Sequence, residues 1–225
     1  VGWLVVLGLL LARPTVRSDF PCPGCVTISP AGVKPSAPLL VVLHGDDAGA
    51  SSAVADWRAA AGAAGAILLA PECPRAAGCA GSWWHWLQSK RHDPAWLARQ
   101  IDAAAAAFGL DPPRVVVAGF SGGASYLGWY VPTHSGGVAA AAFVAGGYPY
   151  ADACATRKVP VRIDIGADDR RMIEPFVRPL RRWFEACGGH ELVWEEVAGV
   201  GHLGMRRVLQ RGRAQAILAW LLADR

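Results

Sequence analysis

Charge is scarce in this chain. Only 18% of its 225 residues are charged while 53% are hydrophobic, a balance that excludes a disordered or coiled-coil protein and suits one domain with a full core. The net charge of +4 comes from scattered basic residues, and the densest group, Arg178-Pro179-Leu180-Arg181-Arg182, falls on an amphipathic helical stretch. A solvated helix face accounts for it, so no nucleic-acid footprint is present. No internal repeat or low-complexity linker interrupts the chain. Its cysteines and histidines lack the paired spacing of a zinc site. The N-terminal apolar run, Trp3 to Ala12, is too short to span a bilayer comfortably.

That run does have the length of a signal-peptide core. Val16 and Ser18 supply small residues at −3 and −1 before Asp19, although the usual basic segment is missing. Residues 1–18 are therefore expected to be a signal peptide, with an N-terminal anchor as the alternative. Residues 19–225 form one domain. The location expected is secreted or periplasmic, with no stable membrane insertion after cleavage. The six cysteines agree with export. An even count suggests disulfides, and although connectivity is not determined by sequence, pairing of neighbours is the simplest arrangement: Cys22 with Cys25, Cys73 with Cys79, Cys154 with Cys187. Cys22-Pro23-Gly24-Cys25 is not read as a redox motif, because a strand-like segment, Val26-Thr27-Ile28, follows it rather than a helix.

The remainder alternates strand and helix patterns. Leu39–Leu43 is a continuous apolar run, the form of a strand covered on both faces, and further strand patterns lie at Ala66–Ala70, Val115–Ala118, Val138–Ala145, Val159–Ile165 and Leu192–Val197. Helical patterns occupy Ser51–Ala64, Pro94–Phe108, Met172–Ala186 and Met205–Ala223. Repeated strand–helix units predict an α/β fold with a mainly parallel, doubly wound sheet. Ligands in such sheets bind beyond the carboxyl ends of the strands, and three polar groups lie there.

The most informative is Gly119-Phe120-Ser121-Gly122-Gly123, between the Val115–Ala118 run and a helix-compatible stretch. A Gly-x-Ser-x-Gly in that context is a nucleophile elbow, whose sharp turn strains the serine and needs small neighbours. His44-Gly45-Asp46 follows the Leu39–Leu43 run and has the form of an oxyanion loop. The backbone N–H groups of Asp46 and Gly122 are the expected donors, while His44 is assigned to holding the loop. Ile165-Gly166-Ala167-Asp168-Asp169 follows the fifth strand. A Gly-x-x-Asp spacing selects Asp169 as the acid that orients a histidine, with Asp168 as the alternative. Gly201-His202 follows the last strand, so His202 is the general base in the chain order Ser121, Asp169, His202.

These four motifs in this order resemble the α/β-hydrolase superfamily from about Leu39 to the end. More narrowly, they are similar to small secreted esterases of the polyhydroxybutyrate-depolymerase and feruloyl/acetylxylan-esterase type. Depolymerases usually carry a small residue after His-Gly, whereas Asp46-Asp47 stands here. The resemblance implies hydrolysis of a small-molecule or polymer-linked carboxylic ester through an acyl-serine intermediate, with no cofactor. The short segment Gly146–Lys158 predicts a fold without a large cap domain. The long loop Pro71–Asp93 carries Ser82-Trp83-Trp84-His85-Trp86. Trp83, Trp84 and Trp86, with Tyr148 at the rim, are candidates for stacking on an aromatic acyl group or a sugar, and the alternative is that the rings pack the loop down.

Overall fold

The computed structural model describes residues 13–46, 48–74, 79 and 85–224. Trp83, Trp84 and most of residues 1–18 lie outside them.

Eight strands form one sheet: β1 Thr15–Ser18, β2 Val26–Ser29, β3 Leu39–Leu43, β4 Ile67–Ala70, β5 Val115–Phe120, β6 Ala140–Val144, β7 Val161–Gly166 and β8 Leu192–Val197. The helices are α1 Ala50–Ala63, α2 His85–His92, α3 Trp96–Ala107, α4 Gly122–Thr133, α5 Arg170–Met172, α6 Arg178–Cys187, α7 Gly204–Val208 and α8 Ala214–Leu221. Strand order is β1-β2-β4-β3-β5-β6-β7-β8. β3 to β8 run parallel, and β1 and β2 join antiparallel at one edge.

Every residue of β3, β4, β5, β6 and β7 is buried, so both faces of the central sheet are covered. α1 packs on β3, β4 and α8; α4 packs on β5, β6 and α2. α4 is buried along almost its whole length, from Gly122 to Pro132. A helix apolar on all sides can only sit inside a domain, and this one lies directly behind the elbow.

The strand order sets the position of the site. The chain leaves β3, adds β4 on one side, then crosses back to place β5, β6, β7 and β8 on the other. The connections diverge beyond the carboxyl ends of β3 and β5, opening a crevice there. The segments following β3, β5, β7 and β8 carry His44, Ser121, Asp169 and His202. Residues 145–160, between β6 and β7, contain no helix. The Cys154–Cys187 disulfide ties that segment to the end of α6; Cys22–Cys25 and Cys73–Cys79 are the other two bridges.

Several spans differ from the sequence pattern. β5 runs on through Phe120, so the chain turns at Ser121 itself. The single helix expected over Met205–Ala223 is broken at Gly212, where φ is 114°. Thr15–Ser18, where no strand was expected, forms the edge strand β1 paired with β2. Among the described residues, no helix is long and apolar enough to cross a membrane.

Candidate active site

The β5–α4 turn builds the site. Ser121 has φ 52° and ψ −114°, an uncommon conformation for a residue with a side chain. It is held by hydrogen bonds on both sides: its N–H donates to the Val144 carbonyl at 2.9 Å, and its carbonyl accepts the Ser125 N–H at 2.9 Å. Two glycines make the turn possible by close approach. A Cβ at Gly119 would lie 2.6 Å from the Ala124 nitrogen, and one at Gly123 would lie 2.6 Å from the carbonyl oxygens of Leu43 and His44.

Ser121 meets His202 and Asp169 across the crevice. His202 Nε2 is 2.9 Å from Ser121 Oγ, and His202 Nδ1 is 2.6 Å from Asp169 Oδ2. An ionised carboxylate only accepts hydrogen bonds, so Nδ1 carries the proton and Nε2 accepts from the serine hydroxyl. Asp169 is buried, while Asp168 is exposed and uses its N–H to bond the Val200 carbonyl at 3.0 Å. Of the adjacent aspartates, Asp169 is the one joined to His202. Phe120 packs against the His202 ring at 5.4 Å between centroids.

His44 lies apart from this chain. It is buried, its Nδ1–H donates to the Gly45 carbonyl at 2.8 Å, and its Nε2 accepts the Cys73 N–H at 3.3 Å. Those bonds define a neutral ring that fixes the loop after β3. Gly122 opens α4, so its N–H is among those with no acceptor within the helix. Asp46 stands against it, bringing the two expected donor residues together.

Trp86 is corrected as a substrate contact. It is fully buried, its indole N–H donates to the His44 carbonyl at 2.9 Å, and it packs on Tyr126 and Trp96. Its ring is a wedge that seats α2 under the loop that follows β3. Tyr148 is half-buried and forms an aromatic group with Tyr150 and Phe176, at centroid distances of 4.6 and 6.1 Å. Burial, with smaller contributions from Tyr148 and Asp46, pushes the Tyr150 phenol upward.

Beside Ser121 and His202 opens a cavity of about 340 Å³. Leu43, Ala53, Trp57, Phe120 and Leu203 form its apolar walls; Asp46, Ser52, Asp56 and Arg206 form its polar part. That space suits a short chain or a single ring. Leu203 is 72% exposed, an apolar side chain at the rim directly after His202. The sequence carried no signal for Arg206 or Asp56 in the wall, since they come together from positions 150 residues apart.

A mostly parallel eight-stranded sheet with a serine at a strained strand–helix turn defines the α/β-hydrolase fold, and the chain has that fold. No protein-family model matches it, and no curated protein does. Solved structures do match. TT1662 from Thermus thermophilus superposes with a TM-score of 0.67 at 17% identity, over 95% of this chain and 100% of that one. Esterase PE8 gives 0.66 at 19% identity, over 94% and 100%. LpqC, a poly(3-hydroxybutyrate) depolymerase from Bordetella parapertussis, gives 0.61 at 18% identity, over 95% and 92%.

Proposed function

We propose that the protein is a serine hydrolase acting on carboxylic esters. The observation that carries this is the continuous chain from Ser121 Oγ to His202 Nε2 at 2.9 Å and from His202 Nδ1 to Asp169 Oδ2 at 2.6 Å. His202 takes the serine proton as Oγ attacks the ester carbonyl. Asp169 orients the ring and stabilises the imidazolium that forms. The N–H groups of Asp46 and Gly122 hold the developing oxyanion, each donor contributing roughly 2.7–4 kcal/mol. His202 then protonates the leaving alcohol, and water activated by the same ring releases the acid. The esterase and depolymerase among the matching structures support ester chemistry on this fold. The aromatic group at Tyr148, Tyr150 and Phe176 supports a flat acyl or sugar moiety at the rim.

The test is hydrolysis of p-nitrophenyl acetate, p-nitrophenyl butyrate and methyl ferulate by wild type and Ser121→Ala, with fluorophosphonate labelling and competing thioester and amide substrates. Ser121-dependent turnover and labelling are expected, with esters preferred. Folded wild type that neither labels nor turns over would overturn the assignment. Three disulfides further support an exported protein. Cell fractionation that finds it in the cytoplasm with reduced thiols would count against export.

A further inference from the structure

We propose that Glu72 is a positioning residue for the reaction, holding in place the loop after β3 that is to supply the Asp46 oxyanion donor; this rests on the serine-esterase reading. That loop starts at His44, passes Asp46 and ends at Gly49, where α1 begins. The helix has little of its own to hold this end. Its N-cap is Gly49, which has no side chain, and its first turn carries no acid. The first N–H groups of a helix need partners from outside it. Glu72, two residues beyond β4, supplies one: its Oε2 accepts the Ala50 N–H at 2.7 Å. A carboxylate there also meets the positive end of the helix dipole.

The same segment reaches the start of the loop. Glu72 Oε1 lies 3.8 Å from His44 Nε2, and the next residue, Cys73, donates its N–H to that nitrogen at 3.3 Å. Glu72 is held in turn, its N–H donating to Cys25 Sγ at 3.4 Å. Two glycines leave room for its side chain. A Cβ at Gly24 would lie 2.8 Å from Glu72 Cγ, and one at Gly49 would lie 2.9 Å from Oε2. Both ends of the loop are thus tied to residues 72 and 73, beside the Cys22–Cys25 and Cys73–Cys79 bridges. Between those ties the loop lies against the nucleophile. A Cβ at Gly45 would sit 3.3 Å from Ser121 Cβ, and Asp46 stands against Gly122. A shift of the loop therefore moves the Asp46 N–H relative to Ser121. Glu72 is not among the described residues of the cavity wall, so it acts on the reaction through the loop. Oxyanion donors work only at hydrogen-bond distance, and a displacement of about 1 Å can cost roughly a hundredfold in rate.

The experiment compares wild type with Glu72→Gln, Glu72→Asp and Glu72→Ala. It measures kcat and KM for p-nitrophenyl butyrate, inhibition by butylboronic acid, and the urea midpoint. Ser121 Oγ adds to the boron, one B–O bond forming, and the serine proton passes to His202. The adduct is a tetrahedral anion that calls on the same donors as the transition state. Gln keeps the reach and an acceptor oxygen, Asp keeps the charge but is one methylene short, and Ala has neither. Expected in the Asp and Ala variants are kcat losses of about tenfold to a hundredfold, with KM within about threefold and boronate affinity falling in step with kcat. Glu72→Gln should stay within about fivefold of wild type on each kinetic measure. Asp and Ala variants that fold and keep wild-type kcat and boronate affinity overturn the proposal even if their urea midpoints fall, because Glu72 would then serve stability alone. If Glu72→Ala does not fold, Glu72→Asp decides by the same criterion. A raised KM at unchanged kcat also overturns it. A wild type without Ser121-dependent hydrolysis brings down the esterase reading instead, and this inference with it.

Discussion

Arg206 and Asp56 are locked side to side, two hydrogen bonds joining the guanidinium to a buried carboxylate across 150 positions of sequence. Gln210 adds a third bond to Asp56, 2.7 Å from Oδ1. Asp56 lies on α1 and Arg206 on α7, which begins two residues after His202. The pair fastens the helix after the candidate base to a helix packed on the sheet. Asp56→Ala would leave the Arg206 cation unmatched in the cavity wall. Losing one partner of a buried pair typically costs about 3–5 kcal/mol, and the part-exposed guanidinium reduces that to roughly 2–3 kcal/mol. Urea denaturation of the variant should show that loss. Turnover should fall as well, because the segment carrying His202 loses its anchor; unchanged stability would mean that the pair is decorative.

Asp169 and Asp168 are chemically identical and differ in where their side chains point. Asp169→Asn keeps the shape but presents a donor-capable amide to His202 Nδ1, which favours the wrong tautomer. A loss of about 10³–10⁴-fold in kcat is expected, by analogy with the same substitution in a serine-protease triad. Asp168→Asn should stay within a few-fold of wild type, because that carboxylate is exposed and only its backbone is bonded to Val200. Steady-state kinetics of the two variants decide between them. Equal losses would place the acid elsewhere.

The parts of the molecule that were legible in the sequence share a physical cause. Strands covered on both faces must be apolar throughout, so the β3 run Leu39–Leu43 announces itself. The elbow is legible because a tight turn with a side chain at φ 52° tolerates little but glycine around it. β1 was not legible: Thr15–Ser18 is exposed along its whole length and carries no apolar pattern. α2 was hidden within a segment that looked like loop, because Trp86 and Lys90 take their roles from distant partners, the His44 carbonyl and the Tyr150 carbonyl. The same holds for Asp56 and Arg206. Local patterns find elements and motif residues, whereas wall residues that meet only after folding leave no local mark.

The three disulfides should contribute unequally. Cys154 and Cys187 are separated by 33 positions, and closing a loop of that length removes unfolded-state entropy worth about 3–4 kcal/mol in the chain-entropy treatment. Cys22 and Cys25 are separated by three, so that bridge should contribute about 2 kcal/mol or less. The Cys154→Ser/Cys187→Ser double variant is therefore expected to lose roughly twice as much as Cys22→Ser/Cys25→Ser in equilibrium denaturation. A reversed order would show that the Cys22–Cys25 turn does more than close a short loop.

Stability should decline on mild acidification, through two histidines distant from the candidate triad. Burial lowers the His190 imidazole below its usual range, with a small further push from Lys158 and an opposing hydrogen bond at Val159. Burial likewise lowers His134, which stacks on Tyr130 at 4.3 Å, against an opposing bond to the Tyr130 carbonyl. Both folded values lie below the unfolded value of about 6.5, so the unfolded chain binds more protons in the interval between them. Their contribution is complete above pH of about 6.5 and is lost as pH falls through the folded values. His190 is the sharper case, because its Nε2 is buried with no hydrogen-bond partner among the described residues, so protonation would add a buried donor without an acceptor. Urea midpoints taken between about pH 7.5 and 5.5, above the range where most carboxylates titrate, should fall in wild type. They should fall less in His190→Gln, which keeps a polar side chain but does not titrate. An identical slope in that variant would remove His190 from the acid sensitivity of the fold and leave it to His134.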